Sequence, residues 1–450
     1  MRKLIKKANL LIATFPFGYS LSLHVTYPTM NLIIYAIPVF FLLIGVELLI
    51  TKIKKLNHYR FNDSVTNLSL GIGSTVTGIF LKTLTVLAYI KLYDISPLHG
   101  KIPNAWWVYV LLFFGADFFY YWFHRGAHEI SIMWGSHAVH HQSEEYNLTV
   151  ALRQAWYQGA FSFVFYLPLA VLGFNPVMFF VVSQVITLYQ FWIHTKLINK
   201  LPAPIEYIFN TPSHHRVHHG VNPQYIDKNH AGTLIIWDRM FGTFEPEQEE
   251  VVYGITKQSK SWNPVYVNFE YWKDLSGDLR KTSTWRNRAS LLLKAPGWKP
   301  EELGGVGGLK PVTPDTFHKY DTEISAGLTR YVLFQFIIIL AASTTFLVFQ
   351  GKSPINDSLG LKVGLAGLIV FSLLNIGGIF EKKRWVLAFE YARIVILAFV
   401  IIVLLNNETL SNALGISTIV ISLISLVWFS FYLDEFKLQT QSSGFKTQTV

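Results

Sequence analysis

The strongest restriction on this chain's fold is a series of apolar stretches of roughly the 20 residues that a helix needs to cross a bilayer. They read as spans at about 31–50, 70–91, 105–123, 157–173, 176–193, 329–349, 361–380, 387–405 and 413–433. Backbone polar groups in hydrocarbon must be paired within the segment, so such spans are helices. The expected fold class is therefore all-α: a polytopic membrane protein with about nine spans. Only 15% of the residues are charged, against about 25% in a typical soluble domain. The pair 157–173 and 176–193 is short and shares the turn GFNP (173–176), the pattern of a hairpin that does not fully cross. The stretch 70–91 is polar for a membrane helix, carrying Thr75, Thr77, Lys82 and Thr83.

The spans divide the chain into an N-terminal membrane region (1–193), a polar segment (194–328) and a C-terminal four-span region (329–450). Net charge is +10. Its distribution points to membrane orientation and not to nucleic acid. Lys52, Lys54, Lys55 and Arg60 follow the first span, Lys382, Lys383 and Arg384 the seventh, and Lys437 and Lys446 the ninth; the alternate loops offer only Lys101 and Lys352. Retention of Lys and Arg on the cytosolic side then puts the C-terminus inside and the N-terminus outside. Arg2, Lys3, Lys6 and Lys7 run against this, but they lie well before the first span. No cleavable signal peptide is expected, so the first span acts as the signal. The chain has no cysteine, which excludes thiolate chemistry, disulfides and Cys-ligated zinc or iron–sulfur sites. GGVGGL (304–309) neither follows a strand nor opens a helix and reads as a loop. WNPVYVNFEYW (262–272) suits either the membrane surface or packing against the polar segment.

Eleven of the 15 histidines fall between His124 and His230. HRGAH (124–128), HAVHH (137–141) and HHRVHH (214–219) are the dense stretches; His194 and His230 stand singly. On a helix, residues three and four apart share a face. His124 with His128, His137 with His140 and His141, and His215 with His218 and His219 are therefore expected to present two or three imidazoles each to one metal centre. Neutral imidazole suits iron, zinc and copper. One zinc takes three or four protein ligands, so these eight histidines suit two ions. HRGAH ends the third span, His194 ends the fifth, and HHRVHH lies in the polar segment that follows, all on one side of the membrane. Transporters instead gather polar residues near the midplane. The metals are expected at the membrane–cytosol boundary, where a lipid chain can rise to meet them.

Metal-bound imidazoles usually donate their second N–H to a carboxylate or carbonyl. Asp117, two turns before His124, and Glu129 are the first candidates. Glu144, Glu145, Asp227 and Asp238 follow, with Arg153 and Arg216 as possible holders of a phosphate or acidic group.

The set H-x-x-x-H, H-x-x-H-H, H-x-x-H-H on a polytopic chain resembles the fatty acid hydroxylase superfamily of di-iron oxygenases. The stretches YYWFHRGAHE (120–129), YNLTVALRQ (146–154), LYQFWIHT (188–195), NTPSHHRVHHG (210–220) and IDKNHAGTLIIWDRMFGTFE (226–245) are most similar to its ether-lipid-cleaving branch. VVYGIT (251–256), KAPGW (294–298) and the later spans extend the similarity over most of the chain. The resemblance implies that His124, His128, His137, His140, His141, His215, His218 and His219 bind two irons beside an essential Glu129. His194 extends the set by position. His230 stands where an aromatic is expected and is either an added ligand or a neutral change; His214 lies off the ligand face. The implied reaction takes dioxygen and a lipid, hydroxylates the carbon next to the ether oxygen of an O-alkyl glycerol, and releases a fatty aldehyde. The implied reductant is tetrahydrobiopterin. The chain carries no cytochrome-like or ferredoxin-like domain, so electrons are expected from a diffusible cofactor or a partner. The implied location is the endoplasmic reticulum in a eukaryote or the plasma membrane in a bacterium. Two alternatives stay open: a sibling hydroxylase or desaturase acting on another lipid with a different reductant, and a non-catalytic metal-binding transporter or sensor.

Overall fold

The computed structural model describes residues 32–308, 312–351, 358–406 and 412–437. Arg2, Lys3, Lys6, Lys7, Leu309, Lys352 and Lys446 lie outside them. The described chain is helical, with one isolated antiparallel bridge between Gly220 and Tyr253. Its N-terminal part holds α1 (Leu32–Ile53), α2 (Phe61–Asp94), α3 (Trp106–Glu129), α4 (Ser131–Trp134), α5 (Ala138–His141), α6 (Gln158–Val171) and α7 (Pro176–Trp192). The polar stretch adds α8 (Ala203–Ile208), α9 (Pro212–His218), α10 (Ile236–Phe241), α11 (Pro264–Lys281) and α12 (Trp285–Leu293). The C-terminal part is α13 (Ala326–Phe349), α14 (Leu359–Phe380), α15 (Val386–Asn406) and α16 (Asn412–Ser430).

Among the described residues, five helices are long and apolar enough to cross a membrane: Tyr35–Ile53, Phe61–Asp94, Ala326–Phe349, Leu359–Phe380 and Val386–Val403. The chain is thus a multi-pass membrane protein by the length and composition of its helices. The expected pair at 157–193 folds as the two shorter apolar helices α6 and α7, of 14 and 17 residues. At 1.5 Å per residue they reach about 21 and 26 Å, short of the roughly 30 Å hydrocarbon core. The turn between them holds Gly173 at φ +82°, and a side chain there would meet Leu98 at 2.6 Å. Asn175 then caps α7 by accepting from the Val177 N–H at 2.8 Å, with Pro176 at its first position.

Two apolar cores carry the packing. One joins α2 to α13, α14 and α15 through Val76, Val332, Phe336, Leu373, Phe380 and Val386. The other seats α3 against α2, α6 and α7 through Tyr89, Val108, Leu112, Leu169 and Val182. Trp262 is buried in the first core, while Phe269 is 52% exposed, so WNPVYVNFEYW both packs inward and presents aromatic surface. Inside the C-terminal helices the buried Arg393 pairs with Glu390 and donates to Gln335 at 2.7 Å. A charge in a span needs such an internal partner.

The site is assembled where helices end. α1 and α7 finish, α2 begins, and the segments 137–153, 194–219 and 226–243 fold back over that end. Glu47 of α1 ties them together: its carboxylate takes the Leu148 N–H at 2.8 Å and the hydroxyls of Tyr59 and Thr195. From α2, Asp63 accepts from Ser143 at 2.8 Å and from Asn67 at 2.8 Å.

Candidate metal centre

Nine buried histidines gather into two neighbouring groups. His124, His128, His137, His141 and His218 form one; His140, His194, His215 and His219 form the other. Within each group one ring nitrogen per residue lies within 4.8 Å of the rest. The rings of His141 and His219 stack at 4.3 Å and join the two.

This partition corrects the expectation that each motif serves one centre. His137 and His141, four apart, go to the first group, but His140 between them goes to the second. His215 and His219 go to the second group and His218 to the first. Both motifs lie on short helical turns, where i and i+4 point nearly the same way and i+3 is displaced by about 60° from the intended face. Each H-x-x-H-H unit therefore feeds both groups from the wedge between them.

The outward nitrogens define the protonation. A ring nitrogen facing a carbonyl oxygen must donate to it, which leaves the other nitrogen as a bare lone pair. His124 Nδ1 donates to His230 O at 2.7 Å, His140 Nδ1 to Arg153 O at 2.8 Å, His194 Nδ1 to Gln190 O at 2.7 Å and His218 Nδ1 to Lys228 O at 3.0 Å. His137 Nδ1 faces the side-chain oxygen of Gln158 at 3.2 Å. The inward Nε2 atoms then meet lone pair to lone pair: His124 and His137 at 2.8 Å, His140 and His194 at 3.3 Å. His137–His141 and His194–His215 are 3.1 Å apart, and the buried Nε2 atoms of His128 and His218 have no partner. Such contacts repel unless a cation sits among them, in which case each lone pair becomes a ligand. Burial first, and neighbouring imidazoles second, hold His137, His141, His215, His218 and His219 well below the ordinary histidine range. They are neutral, as metal binding requires. The donor set therefore fits two metal ions.

The other expected residues are placed as follows. Asp117 is fully buried but touches no histidine: it accepts from the N–H groups of Thr233 at 2.8 Å and Leu234 at 3.0 Å and from the Trp237 indole at 3.0 Å. The expected imidazole partner is replaced by the turn after His230, because that turn brings three donors under α3. Gly232 makes room for it, since a side chain there would meet Tyr120 at 2.8 Å. Glu129 is 44% exposed and pairs with Arg125 at 2.9 Å. Asp227 is the carboxylate beside an imidazole, 3.6 Å from His128 Nδ1. Asp238 accepts the His230 and Ala231 N–H groups, both at 2.8 Å. Glu144 and Glu145 bind Arg60, not the histidines. Arg153 and Arg216 are buried, and their guanidinium groups are engaged by acceptors of the protein itself. Arg153 donates to Val139 O, Asn67 and Gln142, while Arg216 pairs with Glu247 at 2.7 Å. His214 pairs with Glu206 at 2.8 Å, away from both groups. His230 lies outside the two groups, its ring 5.1 Å from that of His128, with a buried and unpartnered Nδ1.

Sequence reasoning missed Gln158, the four orienting carbonyls, and Tyr146, which stacks on His194. Backbone carbonyls leave no trace in residue identity. Glu47 was findable, since a lone acid inside an apolar span calls for a buried partner.

Residues 109–243 match the family model described as fatty acid hydroxylase. The chain is 40% identical to alkylglycerol monooxygenase of Xenopus tropicalis over 366 residues, covering 80% of both chains. The chain belongs to the alkylglycerol monooxygenase family. Alkylglycerol monooxygenases of Danio rerio and Homo sapiens are 38% and 39% identical, covering 88% and 77% of this chain and 87% and 77% of their own. No solved structure matches. Membership makes the chain an oxidoreductase of the fatty acid hydroxylase class, and the matched residues 109–243 contain both histidine groups.

Proposed function

We propose that this protein is a di-iron, membrane-embedded monooxygenase that cleaves the O-alkyl bond of glyceryl ether lipids. The observation that carries this reading is the pair of buried histidine groups, whose inward lone pairs converge at the end of a bundle of apolar helices. His124, His128, His137, His141 and His218 would hold one iron, and His140, His194, His215 and His219 the other. His230, with its unpartnered Nδ1 beside His128, is the candidate for an added ligand. Iron so bound supplies the reductive activation of dioxygen needed to attack an unactivated C–H bond.

The protein's own residues orient and exclude. The carbonyls of Arg153, Gln190, Lys228 and His230 fix the tautomer of four ligands, so that lone pairs face inward without reorganisation. Asp117 acts as a positioning residue by gripping the turn that carries the His230 carbonyl. Glu129 acts through a chain of hydrogen bonds. It holds Arg125, which donates to Tyr121 at 3.3 Å; Tyr121 donates to Thr243 at 2.9 Å, and Thr243 to Asp238 at 2.7 Å, beneath the His230 turn. Burial of every ligand keeps bulk water from the reacting carbon.

The lipid's alkyl chain enters from the bilayer and its carbon next to the ether oxygen is hydroxylated. One oxygen atom of dioxygen enters that C–H bond. The other leaves as water, with two electrons and two protons from a reductant of the tetrahydrobiopterin class. The resulting hemiacetal breaks its bond to the glycerol oxygen, giving a fatty aldehyde and a glycerol derivative. In the proposed topology α3 and α16 join the five long apolar helices as spans, α6 and α7 form a hairpin that does not fully cross, and the histidines lie on the cytosolic side, in the endoplasmic reticulum or a bacterial plasma membrane.

The test is purified protein with an alkylglycerol, dioxygen and tetrahydrobiopterin, read for fatty aldehyde alongside metal content. About two irons per chain, lost in His219→Ala, and aldehyde formation are expected. Zinc in place of iron, or turnover of a different lipid with no aldehyde, overturns the reading.

A further inference from the structure

The helix α12 carries a surface that the metal centre does not use. Residues 279–300 hold six Lys and Arg and no Asp or Glu. Thr284 caps the helix by accepting the Asn287 N–H at 3.2 Å, and the chain leaves it before Pro296. With 3.6 residues per turn, Leu292, Trp285, Ala289 and Leu293 fall on one strip about 100° wide, with Arg288 at one edge and Arg286 at the other. Leu291, the buried residue of the helix, points to the opposite side, into the protein. The strip itself is open: Trp285 is 81% exposed and Leu293 66%. Arg280, Lys281, Arg286, Arg288 and Lys294 are exposed too, and none has an ion-pair partner among the described residues. Arg288 is aimed by donating to Thr282 O at 2.9 Å, and Lys294 lies 4.5 Å from the centre of the Trp298 ring. The acid that α12 binds, Glu302, sits away from the strip, accepting from Asn287 at 3.2 Å and from the Ser283 hydroxyl at 2.6 Å.

The place of α12 in the fold decides what covers this strip. The Ser131 N–H, in the short α4 that follows α3, donates to Lys294 O at 2.8 Å. The Ser131 hydroxyl bonds that of Tyr271 on α11 at 2.7 Å. Trp272 of α11 in turn stacks on Phe161, in the first turn of α6, at 5.9 Å. The exposed apolar surface of α6, at Val164, thus continues through the exposed Phe269 of α11 to the end of the bundle where α12 lies. A nine-residue helix is about 14 Å long, too short to cross the bilayer. An apolar strip edged by arginines, set where membrane helices reach the surface, has the make-up of a helix that lies flat among lipid headgroups. The charge flanking the strip is of one sign, which selects an anionic surface.

We propose that α12 is an interfacial helix that docks on anionic phospholipid in the leaflet on the histidine side of the membrane. Trp285 and Leu293 enter the boundary between headgroups and acyl chains. Arg286 and Arg288 take lipid phosphates from the two edges of the strip, as a guanidinium fork can do bidentately. Lys281 and Lys294 add to the attraction. This seat is separate from the reaction proposed above and does not depend on it.

The chain has no cysteine, so Leu293→Cys gives full-length protein in nanodiscs a single site for an environment-sensitive fluorophore. The probes are phosphatidylglycerol or phosphatidylcholine with a nitroxide high on the acyl chain, at equal fractions in a neutral bilayer, and a water-soluble nickel chelate. Both lipids are expected to quench and the chelate to quench little. Phosphatidylglycerol should reach half-quenching at a fraction at least about tenfold lower than phosphatidylcholine, from two cations worth about fivefold each at a lipid surface. Arg286→Gln should narrow that preference about fivefold, and Arg286→Lys should keep it. Arg286 is exposed, so Tm should stay at the wild-type value in both variants. Equal quenching by the two lipids, or a preference unmoved by Arg286→Gln, would overturn the proposal. Quenching by the chelate alone would put the strip in water, and shielding from all three quenchers would mark a contact with protein; either result would overturn it as well.

Discussion

Asp117 offers the sharpest test of how the centre is held. Its carboxylate is fully buried and satisfies three donors: Thr233 N–H at 2.8 Å, Leu234 N–H at 3.0 Å and Trp237 Nε1–H at 3.0 Å. Asp117→Ala leaves two buried N–H groups and the half-buried Trp237 indole unpaired, at about 1–3 kcal/mol for each buried group, so the cost is about 2 kcal/mol or more even if the turn relaxes. The relaxation is itself the consequence of interest. Releasing Thr233 and Leu234 loosens the segment that presents the His230 carbonyl to His124 Nδ1. Asp117→Asn keeps the shape and one acceptor oxygen but turns an amide N–H toward the remaining donors, and should fall between. The assay pairs thermal unfolding with metal content per chain after identical purification. The expected order for both is wild type, Asp117→Asn, Asp117→Ala. If Asp117→Ala keeps the wild-type Tm and full metal content, the argument that this turn positions His124 is wrong.

Four further outcomes are expected. The first histidine group has five members and the second four, so His218→Ala should retain more metal than His219→Ala, measured by elemental analysis. Arg153→Lys cannot reach Val139 O, Asn67 and Gln142 at once; it should lower stability by about 1.5–3 kcal/mol for each charge-assisted bond lost, with KM for the lipid unchanged in steady-state kinetics. Glu129→Gln breaks a pair in which Glu129 is 44% exposed, worth under about 1 kcal/mol; unchanged Tm and iron with reduced turnover would support the Arg125–Tyr121–Thr243 chain, and lost iron would refute it. The fourth concerns pH. His140 is lowered from 6.5 to about 4, chiefly by burial. A base whose folded pKa is depressed contributes stability above its unfolded value. That contribution is lost as pH falls from about 6.5 towards 4. Metal-free protein should therefore unfold progressively over this window in a denaturant titration series. A Tm independent of pH from 7 to about 4 would contradict it.

The sequence by itself determined the solvent and the ligands. Unbroken apolar runs of about 20 residues read as helices in a bilayer, because backbone groups cannot stay unpaired in hydrocarbon and barrel strands are only about half as long. Histidines spaced three and four apart must be near one another on any helical turn, so the metal-binding stretches were legible without tertiary information. What only the tertiary structure decided is the sorting. Spacing put His137, His140 and His141 on one face, but packing of 137–141 against 215–219 sends His140 to one group and its neighbours to the other. Likewise, spacing nominated Asp117 as an imidazole partner, and the fold gave it the turn at 233–237. Orienting partners such as the carbonyls of Arg153 and Lys228 are backbone atoms that every residue carries. Their roles depend on where the chain runs, and that is set by long-range contacts no local pattern encodes.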